Sequence, residues 1–266
     1  RLSQWKADAL FSLGDTSLPA CSVPHLLLVH QAHLAYAPKD WGFEATAAVS
    51  RRYWLMEKYL RTALPSVTQI TVQTEDMKAR MGQRFDIADE QIVVVPSAVE
   101  PSPGDSARAQ VDDGRPYLCY VASPGAHKNH ALLPDLMAAL PERHSDVIFR
   151  LTMAEDSVPA LTQHARELGV LDRFSWDGAM ASKEALRLLS GAKAMVMPSL
   201  LESFGLSFYE AMGAGCPIVA ADRDFAREAC GDAALYAHPW KALSFAERVT
   251  DLLDSNELAQ SLVKQG

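Results

Sequence analysis

Short, continuous apolar runs recur along this 266-residue chain, separated by segments of helical periodicity, and that alternation constrains the fold more than any other feature. The runs cover residues 26–29, 70–72, 92–95, 117–121, 147–151, 194–197 and 218–220. Most are apolar throughout rather than alternating, as expected of parallel strands covered on both faces. Between them, residues 45–64, 75–85, 131–140, 158–168, 183–190 and 207–212 read as helices. Ser182 is placed to cap the helix opening at Lys183, with Glu184 in its first turn. Strand–helix alternation of this kind predicts α/β architecture in doubly wound layers.

Residues 96–116 break the alternation with Pro96, Pro101, Pro103, Gly104, Asp105, Asp112, Asp113, Gly114 and Pro116. Such a cluster of breakers predicts a linker. The expected domains are 1–105 and 106–266, the second opening on the strand that starts at Tyr117.

Charge and cysteine content exclude several classes. A net charge of −8 argues against a nucleic-acid partner, whose phosphates need clustered Lys and Arg. It also argues against general attraction to anionic membranes, while leaving room for a local basic patch. No apolar run approaches the roughly 20 residues of a bilayer span. Cys21, Cys119, Cys216 and Cys230 lack metal-ligand spacing and read as reduced thiols of a cytoplasmic protein.

The richest stretch, 198–217, reads PSLLESFGLSFYEAMGAGCP. A strand hands over to a helix there, with Glu202 and Glu210 eight positions apart and Phe204-Gly205-Leu206 between them. Ligands of open α/β sheets bind at the carboxyl ends of strands. A helix start offers free N–H groups that suit phosphate, whereas carboxylates accept hydrogen bonds from hydroxyls. A nucleotide-sugar carries both kinds of group.

The same residues carry a family resemblance. Glu202, Phe204-Gly205-Leu206, Glu210 and the run from Ala211 to Ala220 resemble the Glu-x7-Glu signature of the family 4 retaining glycosyltransferases of GT-B fold, the "glycosyl transferases group 1" domain. The resemblance extends over about residues 117–253 and more weakly over 26–96. It implies two Rossmann-like, doubly wound, parallel-sheet domains facing across a cleft, the N-terminal one incomplete in this chain. Arg1–Trp5 is neither a methionine start nor a signal peptide, and the chain is expected to be a partial view of a larger enzyme.

Residue roles follow from the resemblance. Glu210 would hold the nucleotide's ribose hydroxyls. Glu202 would contact the transferred sugar, where a carboxylate stabilises an oxocarbenium-like transition state. The amides of Phe204, Gly205 and Leu206 would meet sugar or phosphate oxygens. Residues 122–130, ASPGAHKNH, resemble the loop whose arginine and lysine grip the diphosphate; Lys128 takes the lysine position, and Ser123 stands where the arginine is expected. Gly125 and His127 complete that donor loop, His127 adding charge if protonated. Its His-Lys-Asn-His run leans toward mannose-type transfer. On the N-terminal side, His30 is the first choice for a histidine reaching the donor sugar, with His33 second; His33 and Tyr36 are assigned to the acceptor side. Glu202, Lys128 and His30 are thus the expected catalytic residues.

The resemblance predicts an enzyme moving a hexose from a nucleoside-diphosphate donor to a hydroxyl of a glycan or lipid-linked acceptor, with retained configuration. No metal or other cofactor is expected, and Asp222-Arg223-Asp224 reads as a surface turn rather than a metal motif. Two alternatives stand: a nucleotide-sugar epimerase or hydrolase of the same architecture, and a binding protein weak in catalysis. The basic, aromatic segment 51–61 is expected to pack on the sheet through positions 54, 55, 59 and 60. Peripheral contact with the inner face of a membrane is its alternative reading.

Overall fold

The computed structural model describes residues 6–99 and 114–266. The chain divides into two compact units. One holds the residues up to Ala98 together with Leu201–Phe204; the other holds Val99–Leu200 and Gly205–Gly266. The boundary expected at residue 105, most of the proline-rich linker around it, and Arg1–Trp5 lie outside the described residues.

In chain order, the first unit contains β1 (Leu10–Ser12), β2 (His25–Leu28), the short α1 (Ala32–Ala35), α2 (Ala47–Ala63), β3 (Gln69–Val72), α3 (Glu75–Phe85) and β4 (Ile92–Val94). Its sheet is parallel, in the order β1-β2-β3-β4. Helix boundaries follow local chemistry. The Thr74 hydroxyl accepts from the Met77 amide (3.2 Å), Glu75 and Asp76 sit in the first turn of α3, and Asp86 closes it in the left-handed region.

The second unit continues with β5 (Tyr117–Tyr120), α4 (Leu133–Ala139), β6 (Ile148–Leu151), α5 (Pro159–Glu167), β7 (Phe174–Trp176), α6 (Ser182–Gly191), β8 (Ala194–Met197), α7 (Leu206–Gly213), β9 (Ile218–Ala221), α8 (Asp224–Cys230), β10 (Ala234–Ala237), α9 (Ala242–Asp254) and α10 (Asn256–Gln265). Its six strands run in the order β10-β9-β8-β5-β6-β7, with neighbouring strands parallel. All residues of β5, β8 and β9 are buried, as sheets covered by helices on both faces require. Two parallel α/β sheets are what the apolar runs predict; the second reverses its winding between β5 and β8, whereas the first runs in one direction over the described strands.

Three expectations need correction. Ser182 is the first residue of α6 rather than its cap; Ala181 precedes the helix, and the Glu184 carboxylate accepts from the Ala181 amide (3.0 Å). Strands β1, β7 and β10 are absent from the sequence-based set. Each is a sheet edge and only partly buried; Ser12 and Ser175 interrupt β1 and β7, whereas β10 is a short apolar stretch that was passed over. In α2, only Leu60 and Ala63 are buried, while Trp54, Leu55 and Tyr59 are 52%, 53% and 42% exposed. That helix does not pack through 54, 55 and 59.

All four cysteines are free thiols. Burial and the neighbouring Cys230 thiol hold Tyr236 up to about 12, and burial alone holds Cys230 up to about 12. Among the described residues no helix is long and apolar enough to cross a membrane.

Candidate functional site

In the second unit the chain leaves β5 toward β6 and β7 on one side, then returns through β8 toward β9 and β10 on the other. Strands β5 and β8 are neighbours, with Leu118 opposite Ala194 and Cys119 opposite Met195. The winding direction reverses between them. Ligands of open α/β sheets bind at such a switch point, outside the carboxyl ends of the strands. Both sequence motifs issue from those two ends: residues 122–130 follow β5, and residues 198–205 follow β8.

Hydrogen bonds tie the two motifs together. The Leu200 amide donates to the His127 carbonyl (2.7 Å). The buried hydroxyls of Tyr120 and Ser199 lie 2.5 Å apart, and the Ser207 hydroxyl donates to the Val121 carbonyl (3.0 Å). The Thr152 hydroxyl at the end of β6 accepts from the Ala122 amide (3.0 Å). On the far side of the loop, Asn129 adopts φ 54° and its side-chain amide donates to the Pro239 carbonyl (2.9 Å). The loop is therefore pinned at its start, middle and end. Thr152 and Ser207 hold its start, Leu200 its middle and Asn129 its end, and sequence reasoning assigned no role to Tyr120, Thr152, Ser199 or Ser207.

Within the loop, Ser123 is exposed, while Gly125, His127 and Lys128 are half-buried. The His127 ring folds against Gly125, where an added Cβ would fall 2.8 Å from the ring. Gly125 is extended (φ 176°), so the space it leaves matters rather than its torsion. His130 is buried. Burial first, then the charges of Lys128 and His127, hold it down at about 4, against a smaller opposing hydrogen bond to the Gly125 carbonyl. Its Nε2 has no hydrogen-bond partner among the described residues. It is therefore neutral at pH 7.

That burial has a stability consequence. The unfolded chain takes up a proton at its ordinary value near 6.5, whereas the folded chain waits until about 4. Stability is therefore lost as pH falls through that window, by up to about 3 kcal/mol. Denaturant unfolding between pH 4 and 7 should show this slope, and His130→Gln should flatten it. A slope unchanged in the variant assigns the acid sensitivity to other groups.

At the other motif, Gly205 takes the left-handed conformation (φ 70°) and turns the chain into α7. An added Cβ would lie 2.6 Å from the Phe208 ring. Glycine is thus required both by torsion and by space. The first amides of a helix have no intrahelical acceptor, and Leu206 stands exposed at this start. Glu210 is half-buried in the second turn of α7, on the face of Leu206, and not in the first turn where the dipole acts most strongly. Glu202 and Phe204 belong to the segment counted with the first unit, Gly205 and Glu210 to the second.

In the first unit, Asp15 organises the end of β2. Its buried carboxylate accepts from the amides of His30 (2.6 Å) and Gln31 (2.9 Å). The His30 Nδ1 lies 3.3 Å from the other carboxylate oxygen, close enough for an ion pair but not aligned as a hydrogen bond. The His30 side chain is 41% exposed and is held in place by Asp15, a residue sequence reasoning passed over because β1 was not recognised.

His33 and Tyr36 are placed differently. The His33 ring stacks on Tyr53 (4.0 Å between centroids) and meets Trp41 edge-on (4.9 Å). Tyr36 is fully buried, with the Arg80 guanidinium 3.9 Å from its ring centre. Its carbonyl accepts from the Trp41 indole (3.1 Å) and from Arg84. An enclosed Tyr36 side chain offers an acceptor no surface; its role is packing, which corrects its assignment to the acceptor side.

Among the described residues no cluster of three or more His, Cys, Asp or Glu is arranged to hold a metal ion. Asp222 is engaged by the Arg227 guanidinium (2.6 and 2.9 Å), which holds its carboxyl below the ordinary value. Asp224 accepts from the Phe225 amide at the start of α8 (2.9 Å).

A family model described as "Glycosyl transferases group 1" matches residues 88–266. The chain belongs to the group 1 glycosyltransferases. Within that family it is 26% identical, over 78% of its length, to a 2-deoxystreptamine glucosyltransferase of Streptomyces kanamyceticus. It is 27% identical, over 88% of its length, to a glycogen synthase of Mycobacterium tuberculosis. The chain spans about half the length of these relatives, 55% and 56% respectively. Among solved structures it resembles WaaG, a glycosyltransferase involved in lipopolysaccharide biosynthesis, with a TM-score of 0.79 at 16% identity over 99% of this chain and 74% of that one. It also resembles Anabaena HepE in complex with UDP and glucose, with a TM-score of 0.72 at 19% identity over 91% of this chain and 67% of that one. The fold of this group 1 glycosyltransferase is thus of the GT-B type.

Proposed function

We propose that this chain carries the donor site of a glycosyltransferase that moves a hexose from a nucleoside-diphosphate sugar to a hydroxyl of a glycan or lipid-linked acceptor, with retention of configuration. The observation that carries the reading is the joining of the two motif loops at the switch point between β5 and β8. The Lys128 ammonium meets the diphosphate and stabilises the charge that grows on the leaving group as the glycosidic bond breaks. Glu210 accepts hydrogen bonds from the ribose hydroxyls. The amides at Gly205 and Leu206, at the start of α7, hold phosphate or sugar oxygens. Glu202 stands against the transferred sugar, where its carboxylate favours positive charge on the reacting ring. Within the first unit, Asp15 orients His30, the histidine that the family resemblance assigns to the donor sugar.

In this reading no metal is needed, because Lys128 and the amides of α7 supply the positive charge. The HepE complex holds UDP and glucose, which supports a nucleotide-sugar donor, and the likeness to a glycogen synthase supports a carbohydrate acceptor. A mannose-type sugar rests on the His127-Lys128-Asn129-His130 run alone.

A thermal-shift screen of GDP, UDP, ADP and TDP, followed by their sugars, tests the donor site. One nucleoside diphosphate should raise the melting temperature, and Glu210→Ala should weaken its binding by about 1–3 kcal/mol, the cost of a lost buried hydrogen-bond partner. Indifference to all four sinks the reading. Ser123, uncharged and exposed where the family has arginine, favours a binding protein of weak catalysis as the second reading. Tight nucleotide binding without transfer to any acceptor would select it, and donor consumption without acceptor would select an epimerase or hydrolase.

A further inference from the structure

We propose that a cavity at the amino-terminal ends of β8 and β9 is a binding site for a small sugar phosphate, separate from the donor site. The cavity has a volume of about 410 Å³, within the ordinary range of small-molecule sites, roughly 300–1,000 Å³. Three stretches of chain line it: the end of α6 with Lys193, the turn before β9 with Gly215 and Pro217, and one face of α10. On α10 the lining positions are 256, 259, 260, 263 and 264, the spacing of a single helical face. That face rests on the turn, where a Cβ on Gly215 would lie 3.7 Å from the Val263 side chain. Lys193 stands one residue before β8, whereas the motif segment 198–205 leaves the strand's other end; the four residues of β8 span about 13 Å between them. The cavity is therefore not the crevice at the switch point.

The lining selects the ligand. Lys193 and Lys264 line the cavity, and no carboxylate does. Among the described residues neither lysine side chain has an ion-pair or hydrogen-bond partner, in a chain of net charge −8. Cavities elsewhere in the described residues, bordered by Asp86, by Glu155 and Asp156, or by Asp177 and Glu184, each include carboxylates. A pair of lysines suits phosphate, which each meets as a compact point charge. The helix ends offset one another: α10 opens at the cavity with its partial positive end, and α6 closes there with its partial negative one. The lysines rather than the dipoles thus set the sign. Asn256 and Gln260 add carboxamides that have no other partner among the described residues. A carboxamide both donates and accepts, as a sugar hydroxyl does. Ala259, Val263 and Pro217 supply an apolar wall for the C–H face of a sugar ring. No aromatic ring lines the cavity, so it offers a nucleobase no stacking surface, and a nucleotide fits less well than a sugar phosphate.

The test is calorimetric titration of the intact chain with glucose 1-phosphate and ribose 5-phosphate, beside glucose and inorganic phosphate. At least one sugar phosphate should bind, about tenfold or more tightly than inorganic phosphate, with no binding of glucose. Lys193→Glu with Lys264→Glu should weaken that binding by about 20-fold or more, and Lys193→Gln with Lys264→Gln by about fivefold or more. Asn256→Ala with Gln260→Ala should weaken it by about fivefold, the loss of hydroxyl contacts alone. All four side chains are exposed, so melting temperatures close to the parent's confirm that the variants fold. Lys128→Ala, at the other end of the sheet, should leave sugar-phosphate binding unchanged. Absence of binding by both sugar phosphates, or binding untouched by the lysine substitutions, overturns the proposal. So does inorganic phosphate binding as tightly, which marks an adventitious anion only, or glucose binding as tightly. Loss of binding in Lys128→Ala places the ligand in the donor site and overturns it as well. None of these outcomes depends on a nucleoside diphosphate, so a failure here leaves the donor-site reading standing.

Discussion

Glu202→Ala is expected to lower turnover by at least about 100-fold while leaving nucleoside-diphosphate affinity within a few-fold of the parent. The asymmetry follows from the role proposed for the carboxylate, against the transferred sugar. A negative group beside a reacting sugar gains most when the ring becomes positive, so its interaction is stronger in the transition state than in the ground state. Losing a group of that kind costs rate rather than affinity. Glu210, proposed to hold the nucleotide's ribose from α7, should show the opposite split, with binding weakened and the turnover of saturated enzyme changed less. Measuring kcat together with nucleotide Kd for both variants decides the matter. Similar, small effects at both positions would remove the two glutamates from the site.

Gly205→Ala should cost about 2–5 kcal/mol and abolish nucleotide binding together with the loop that supports it. Two independent terms add. The φ of 70° places any L-residue in the left-handed region, at roughly 1–2 kcal/mol. The new methyl would also meet the Phe208 ring at 2.6 Å. Phe208 is fully buried and lies 6.4 Å from the Phe225 ring, so it has little room to retreat. Overpacking of a core site of this kind costs about 1–3 kcal/mol. Thermal unfolding reports the first effect and calorimetric titration the second. A variant with the parent's melting temperature and affinity would show that the turn tolerates a side chain and that its geometry is not what holds the ligand.

The interior strands were legible because burial on both faces leaves an uninterrupted apolar record. Residues 117–121, 194–197 and 218–220 contain β5, β8 and nearly all of β9. Edge strands leave a weaker record, although the edge strand β4 was read from residues 92–95. Ser12, Ser175 and Tyr236 face partly covered positions, and β1, β7 and β10 passed unnoticed. Missing β1 also hid Asp15, whose carboxylate caps two amides at the end of β2, because nothing local to Gly14-Asp15 announces its distant partners His30 and Gln31.

Helix α2 shows the same limit from the other side. Positions 54, 55, 59 and 60 form one apolar helical stripe, and positions 53, 56, 60 and 63 form another. Periodicity allows both. The fold chose the second because Tyr53 stacks on His33 and lies against Trp41, residues more than ten positions away along the chain. The same packing enclosed His33 and Tyr36, which a linear reading had turned toward an acceptor.

From its order of residues alone, then, the chain specifies parallel α/β layers, the family signature around Glu202 and Glu210, and the loop that carries Lys128. These are local features: apolar run length, a glycine at a turn, carboxylates at fixed spacing. Tertiary structure alone decided that the loop after β5 meets the segment after β8 at a reversal of winding, which face of α2 is left open, and which histidines are enclosed. Each of those depends on which distant elements come into contact, and burial is a property of such contacts rather than of any single stretch of chain.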